Sequence, residues 1–339
     1  MTRVVLHVGP DVHEPGGIAG VVRAYQRAHL DAWRVEPLAS SSARSRGRWL
    51  YLFVASGVRI AFASRRTVAG LHFHASQRFD VVRTLVLLDV ARARRLPRIV
   101  TVHGSEFMDE VRRRPGLVRA MLRRADAVTV LSTDVEAAVR ELGIDDVRLL
   151  PNPVRARAAA ADVAGRRNVL FAGEVGRRKG VDVLLAAWPL VRADAPEMAL
   201  HVAGPVAEPG LLVSLPEGAV YDGVLEPEGV AAALGEARVA VLPSRAEAMP
   251  MFVLEAMAAG VPVVGTPVGS VEWMLGEAGV VVPPGDAEAL AEALGTLLRD
   301  PERLERMSRA AQRRVAERFS TDIFDRNVGE LYASVFGRG

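Results

Sequence analysis

The sequence predicts an α/β protein made of two doubly wound parallel-sheet domains in tandem. Three observations point there. The chain has 339 residues, half of them hydrophobic, which is too much for one ordinary core and enough for two. Short apolar runs alternate with amphipathic segments, as expected of parallel strands covered on both faces by crossover helices. The alternation restarts after an Ala-rich stretch that ends at Gly165.

In the first half, Val4–Val8, Val68–Phe73, Arg98–His103, Ala127–Leu131 and Val147–Leu150 read as strands, with helices over Ile18–Ala32 and Pro115–Arg124. "LLPNPV", Leu149–Val154, begins a linker. In the second half the strands are Asn168–Phe171, Met198–Val202, Ala219–Tyr221, Val239–Leu242, Pro262–Val264 and Val280–Val282. Helices cover Val181–Arg192, Glu228–Glu236, Phe252–Ala259, Ala287–Leu298 and Pro301–Arg318. A last helix, Thr321–Phe336, carries Phe324, Val328, Leu331 and Val335 at helical spacing. The expected division is 1–160, 161–318, and a terminal helix within 319–339 that packs back on the first domain. Such sheets bind ligands at the carboxyl ends of their strands, and two that face each other make a central cleft.

Composition excludes several classes. There is no cysteine, hence no disulfide framework, thiolate nucleophile or Cys-bound metal. The first residues read as strand and turn rather than a leader, and Trp49–Ala63 is too short to span a bilayer and carries Arg59. A cytoplasmic location is expected. Net charge is +3, but residues 1–155 hold 25 Arg against 15 Asp and Glu, a net of +10. Either a solvated basic surface or an anionic partner for the first domain follows, such as the anionic inner face of a membrane near Arg44–Phe62. Of 43 cationic residues, 42 are Arg and one is Lys, Lys179.

The strongest motif is "LPSRAEAMPMFVLEAMAAGVPVVGT", Leu242–Thr266. A buried strand gives way to a loop, and a helix opens near Met251. Its first N–H groups, on Met251, Phe252 and Val253, suit a diphosphate. Glu255, one turn in, either holds a ribose diol or complements the helix dipole. Glu247, on the loop, either reaches a sugar or is solvated. This segment resembles the paired-glutamate signature of retaining glycosyltransferases of family 4, which have the GT-B fold, and its wording is close to members that build bacterial polysaccharides. The resemblance implies a nucleoside diphosphate sugar (UDP or GDP) as co-substrate, with no other cofactor. Glu255 would hold the ribose and Glu247 would lie by the sugar.

Other segments fit the same resemblance. "VLFAGEVGRRKGVDVLLAA" places Arg177, Arg178 and Lys179 after a strand. Family members use an Arg and a Lys there on the phosphates. Lys179 matches the Lys, whereas Glu174 stands at the usual Arg position, and Arg178 is the candidate replacement. "GPDVHEPGGIAGVV" offers Gly16 and Gly17 for close backbone approach to the donor. "IVTVHGSEF" ends a strand at His103, the position of the family's sugar-binding histidine. His72 and His74 end the preceding strand, as acceptor-side residues or as strand-end polar groups. The backbone near Val224 corresponds to a nucleobase loop.

The implied reaction moves a hexose with retention, to a glycan, lipid-linked or small-molecule acceptor. It relies on electrostatic stabilisation of the leaving diphosphate. No Asp-x-Asp stands at a strand end, so no metal is expected. His103 and Glu247 position the sugar rather than acting as a strict base. The alternatives are a sugar-nucleotide epimerase on the same fold and a nucleic-acid-associated protein. The second lacks aromatics interleaved with its Arg clusters, so no nucleic-acid partner is expected. A dinucleotide oxidoreductase would need a Gly-x-Gly-x-x-Gly turn that is not present.

Overall fold

The computed structural model describes residues 2–14, 17–42, 44–76, 79–103, 107–156 and 163–337. The chain divides into two compact units, Met1–Asn152 with Thr321–Gly339, and Pro153–Ser320.

The first unit contains strands β1 (Arg3–Pro10), β2 (Trp33–Ser41), β3 (Val68–Ala75), β4 (Arg98–Val102), β5 (Ala127–Val130) and β6 (Val147–Leu149). They form one parallel sheet in the order β2-β1-β3-β4-β5-β6. The order reverses between β1 and β3, so this sheet's switch point lies at the carboxyl ends of those strands. Strand β2 has no counterpart in the sequence reading. It lies at the edge, pairs only with β1, and carries Glu36, Pro37 and Ser40 in place of an apolar run. Proline has no N–H to offer a second neighbour, so an edge is where it fits.

Each face of the sheet has its own core. On one, Leu6, Val8, Leu71, Phe73, Val100 and Val128 pack with Leu87, Leu88, Val118 and Met121 from the helices Phe79–Ala93 and Pro115–Leu122. On the other, Val5, Ile99 and Ala127 pack with Tyr25 of helix Gly17–Arg27 and with Phe324, Val328, Leu331, Tyr332 and Phe336 of helix Thr321–Phe336. Tyr332 and Phe336 are fully buried, while Val335 is only partly so. The end of the chain therefore completes the core of its beginning.

The second unit contains β7 (Asn168–Ala172), β8 (Ala199–Ala203), β9 (Ala219–Gly223), β10 (Ala237–Leu242), β11 (Val263–Gly265) and β12 (Gly279–Val281). All pairs are again parallel, in the order β12-β11-β10-β7-β8-β9. The first strand of the unit sits between its second and fourth, and the switch point falls between β7 and β10. Helix Val181–Asp194 follows β7 and buries Leu184, Trp188 and Val191. The Trp188 indole N–H donates to the Glu217 carbonyl at 3.1 Å, so the ring enters the core without an unpaired donor.

The docking of the last helix depends on one small residue. A Cβ on Gly70 of β3 would lie 2.3 Å from Phe336 and 2.8 Å from the Pro97 carbonyl oxygen. Gly70→Ala should destabilise the protein by about 1–3 kcal/mol through overpacking, read as a lowered denaturant midpoint. An unchanged midpoint would show that the helix does not depend on this contact.

Candidate functional site

In the second unit the loops after β7 and β10 are tied together at the switch point. After β7 the chain runs through Gly176 into a 3-10 turn, Arg177–Lys179, and then to Gly180, which opens helix Val181–Asp194 in the left-handed conformation (φ 74°). A Cβ on Gly180 would meet the Pro243 carbonyl oxygen at 1.9 Å, so only glycine allows the two loops to approach this closely. Several contacts then join them, among them a bond from the Arg245 guanidinium to the Arg177 carbonyl. The Arg245 backbone N–H donates to the Arg178 carbonyl at 2.9 Å. The Arg245 guanidinium grips both oxygens of Asp182 at 2.8 and 2.9 Å. Lys179 Nζ lies 2.6 Å from Glu247 Oε1.

The Lys179–Glu247 pair is largely desolvated, its side chains being 16% and 7% exposed. The same carboxylate oxygen accepts from Ser244 Oγ at 2.7 Å. The Ser244 carbonyl in turn accepts from the buried Thr266 hydroxyl at 2.5 Å. Ser270 secures the loop's far side, with N and Oγ donating to the Ala248 carbonyl at 2.9 and 2.6 Å. The motif thus places Glu247 beside the chain's one lysine. Ser244, Thr266, Arg245 and Asp182 support the pair, and the sequence reading did not single out any of these four. The hydroxyl residues within the motif, Ser244 and Thr266, were the available signal.

Helix Met251–Ala258 starts after Pro250 and has no side-chain cap, so the first-turn N–H groups of Met251, Phe252 and Val253 take no bond from a capping side chain. Phe252 and Glu255 line a cavity of about 210 Å³ with Gly173, Gly204, Val224 and Leu225. Ala172, Ala203 and Gly204 bring the ends of β7 and β8 to its wall, and Val224 stands exposed at its rim. A larger depression of about 560 Å³ lies in the first unit between Arg92 and Val335. It opens at the amino ends of β4 and β6, away from the strand ends where this architecture binds ligands, so the smaller cavity is the better site. Arg178 is directed to Glu174, its Nη2 lying 3.3 Å from Oε1, with both side chains about half exposed.

In the first unit, Gly16 lies outside the described residues, and Gly17 opens helix Gly17–Arg27. His103 follows β4 and is buried. Its Nε2 lies 2.8 Å from His74 Nδ1, and His74 Nε2 lies 2.8 Å from His7 Nδ1. His7 Nε2 reaches the Tyr332 hydroxyl at 2.6 Å, and that hydroxyl lies 3.0 Å from His72 Nδ1. His72 Nε2 then meets Thr101 Oγ1 at 2.5 Å. His72 and His74 are therefore members of a buried network. Burial, followed by the neighbouring histidines, holds His7, His72 and His74 well below the ordinary histidine range. Burial alone lowers His103 to about 3. All four rings are neutral at pH 7. Among the described residues, no three His, Cys, Asp or Glu side chains are grouped so as to hold a metal ion.

Comparison with known proteins matches both units. The family described as Glycosyltransferase Family 4 matches residues 21–157, and that described as Glycosyl transferases group 1 matches residues 166–300. The chain is 27% identical over 260 residues to glycogen synthase of Mycobacterium tuberculosis, covering 70% of this chain but only 63% of that enzyme. Among solved structures, sucrose-phosphate synthase from Thermosynechococcus elongatus superposes with a TM-score of 0.80 at 21% identity, covering 99% of this chain and 100% of that one. Anabaena HepE in complex with UDP and glucose gives 0.75 at 15% identity, covering 98% and 100%. At these identities the likeness to solved structures concerns the fold, which is GT-B.

The buried histidines predict how stability depends on pH. Each has a folded pKa below its unfolded value of 6.5, so the unfolded chain binds more protons in the interval between. The stabilisation is complete above pH 6.5 and is lost as pH falls below it, by about 1.4 kcal/mol per pH unit for each ring that stays neutral in the fold. Thermal denaturation should show a steep fall in Tm from pH 7.5 to 5. A flat profile would mean that the rings are not held neutral.

Proposed function

Starting from a chain that belongs to the family 4, group 1 glycosyltransferases, we propose that it is a retaining glycosyltransferase. It moves a hexose from UDP- or GDP-sugar to a glycan, lipid-linked or small-molecule acceptor, in polysaccharide or glycoconjugate biosynthesis. The carrying observation is the switch point of the second sheet. There the Lys179–Glu247 pair, an uncapped helix start and the Glu255-lined cavity stand on adjoining loops. A structural likeness that holds UDP and glucose supports a donor of this class.

In this reading the base and ribose enter the cavity beside Val224, and Glu255 accepts from the ribose hydroxyls. The diphosphate meets the N–H groups of Met251, Phe252 and Val253, with Lys179 and Arg178 as cations. The bond between C1 and the diphosphate oxygen breaks, and its electron pair leaves with the phosphate. The acceptor oxygen bonds to C1 on the face just vacated, and its proton passes to the departing phosphate oxygen. The products are a glycoside of unchanged anomeric configuration and a nucleoside diphosphate. Negative charge grows on the leaving group, so fixed cations and N–H dipoles lower the barrier without a divalent metal. Glu247 orients Lys179 and binds the sugar, and His103 is the sugar-binding candidate of the first unit.

Calorimetry with a panel of nucleoside diphosphates in EDTA tests the reading. One base should bind above the rest, and Glu255→Ala should weaken it about 10- to 100-fold, as loss of charge-assisted hydrogen bonds does. If a folded protein bound none of them, the donor assignment would be wrong.

Work at the cytoplasmic face of an anionic membrane is part of the same proposal. Tyr51, Val54 and Val58 form an exposed apolar stripe on helix Arg46–Ala61, continued by Phe62 beyond its end. Arg46 and Arg59 lie on the same helix. No helix among the described residues is long and apolar enough to cross a membrane. Vesicles containing phosphatidylglycerol should bind the protein at low salt, and Phe62→Glu should reduce that binding. Equal binding to neutral and anionic vesicles, or none to either, would remove this part.

A further inference from the structure

The first unit holds a feature of which the transfer chemistry uses only the outer end. A row of polar side chains lies buried beneath the helices Gly17–Arg27 and Thr321–Phe336, and His103 is its outer end. From His103 the order is His74, His7, Tyr332, His72, Thr101 and Thr129, with Thr101 Oγ1 and Thr129 Oγ1 2.5 Å apart.

Each ring is neutral, with one N–H donor and one bare acceptor nitrogen. A ring bonded on both nitrogens must therefore donate on one side and accept on the other. The Tyr332 hydroxyl, with one hydrogen and a nitrogen on each side, must do the same. Direction is thereby passed along the whole row. A single reversed member would bring two hydrogens or two lone pairs face to face in the core. That is the cost of an unsatisfied buried polar group, about 1–3 kcal/mol. The row has two self-consistent states, one the mirror of the other.

Its inner end distinguishes them. Thr101 meets Thr129. If Thr101 donates to His72 Nε2, its oxygen can accept from Thr129, and both hydroxyl hydrogens are used. If instead His72 donates to Thr101, the Thr101 hydrogen goes to Thr129. The Thr129 hydrogen must then find another acceptor, and the described residues show it none. The first state satisfies more groups. Followed outward, it has His72 Nδ1 donating to Tyr332, Tyr332 to His7 Nε2, His7 Nδ1 to His74 Nε2, and His74 Nδ1 to His103 Nε2. The proton of His103 is then on Nδ1, the nitrogen outside the row.

We propose that His74, His7, Tyr332 and His72 are positioning residues that lock His103 as its Nδ1–H tautomer, so that the ring offers a hydrogen-bond donor to an oxygen of its ligand. The ligand chemistry is a sugar hydroxyl or another neutral oxygen acceptor. In this state His103 has no free lone pair for accepting an acceptor's proton, so it binds and does not deprotonate. The inference rests on the transferase reading for the identity of the ligand, while the tautomer itself does not.

The test is long-range ¹H–¹⁵N NMR of the side-chain nitrogens of the full chain, with the seven histidines assigned by substitution. His103 should show a protonated Nδ1 and a bare Nε2 at pH 7. Tyr332→Phe removes the hydroxyl that relays direction and should shift His103 toward the Nε2–H form. Thr101→Val removes the inner bias while keeping side-chain shape and should do the same if Tyr332→Phe does not fold. A wild-type His103 protonated on Nε2, or nitrogens unmoved in the folded variants, would overturn the proposal. Nucleotide binding to the same samples separates the two readings. Binding with the wrong tautomer sinks the relay alone, and the Nδ1–H tautomer without binding sinks the donor assignment alone.

Discussion

Lys179 and Glu247 form an ion pair between two loops that the chain can join only at one place. Strand order decides that place. The helices after β7 and β10 leave the sheet on opposite faces, and the loops that begin them share the gap at the switch point. Bringing a cation from one loop to a carboxylate on the other requires close backbone approach, which Gly180 permits, and a brace, which Arg245 and Asp182 supply. The pair itself adds little net stability, because desolvating two charges offsets most of their attraction. Its effect is geometric. With Ser244 holding the same Glu247 oxygen, neither charge can wander, and removing one would leave the other buried without its counterion. Transition-state stabilisation needs charges fixed before the reaction begins.

The first unit meets a comparable problem with neutral groups. Four histidines, a tyrosine and two threonines in a core would be costly if any were left unpaired. Here the cost is offset because the sheet places His7, His72 and Thr101 on neighbouring strands with side chains on one face, and the last helix brings Tyr332 down between His7 and His72. That helix therefore contributes both a hydroxyl and an apolar surface. Phe336 against Gly70 sets its depth, and the depth decides whether Tyr332 reaches both imidazoles. Packing and polar satisfaction in this unit are the same constraint seen from two sides.

This division explains how much was legible in the sequence. Central strands such as Val4–Val8 and Val239–Leu242 were visible because parallel strands covered on both faces must be continuously apolar. The paired-glutamate motif was visible because its glutamates, small residues and following strand are contiguous. Strand β2 was hidden because an edge strand need not be apolar, and Pro37 within it argued against a strand. His7 was hidden for another reason. Its partners are His74 and Tyr332, 67 and 325 positions away, and no local pattern marks residues that meet only through strand order. Ser244 and Thr266 were likewise ordinary until the fold set them under Glu247.

Glu174 shows how a departure from a family pattern can be absorbed. A carboxylate at the position of a phosphate-binding arginine should repel a diphosphate, yet the structure pairs it with Arg178 four residues on. The pair is exposed, at 3.3 Å and with a single contact, and surface pairs at this spacing contribute only about 0.3–0.5 kcal/mol. A charge-assisted bond from guanidinium to phosphate is several times stronger. Within the proposed reading, Glu174 therefore keeps Arg178 at the mouth of the site without binding it firmly. An arriving diphosphate draws the cation away at small cost and leaves the carboxylate to the solvent. Lys179, held in a largely buried pair by a carboxylate that Ser244 also fixes, has no such freedom. In that reading the two cations of the turn divide the work, Lys179 as the fixed charge and Arg178 as the mobile one.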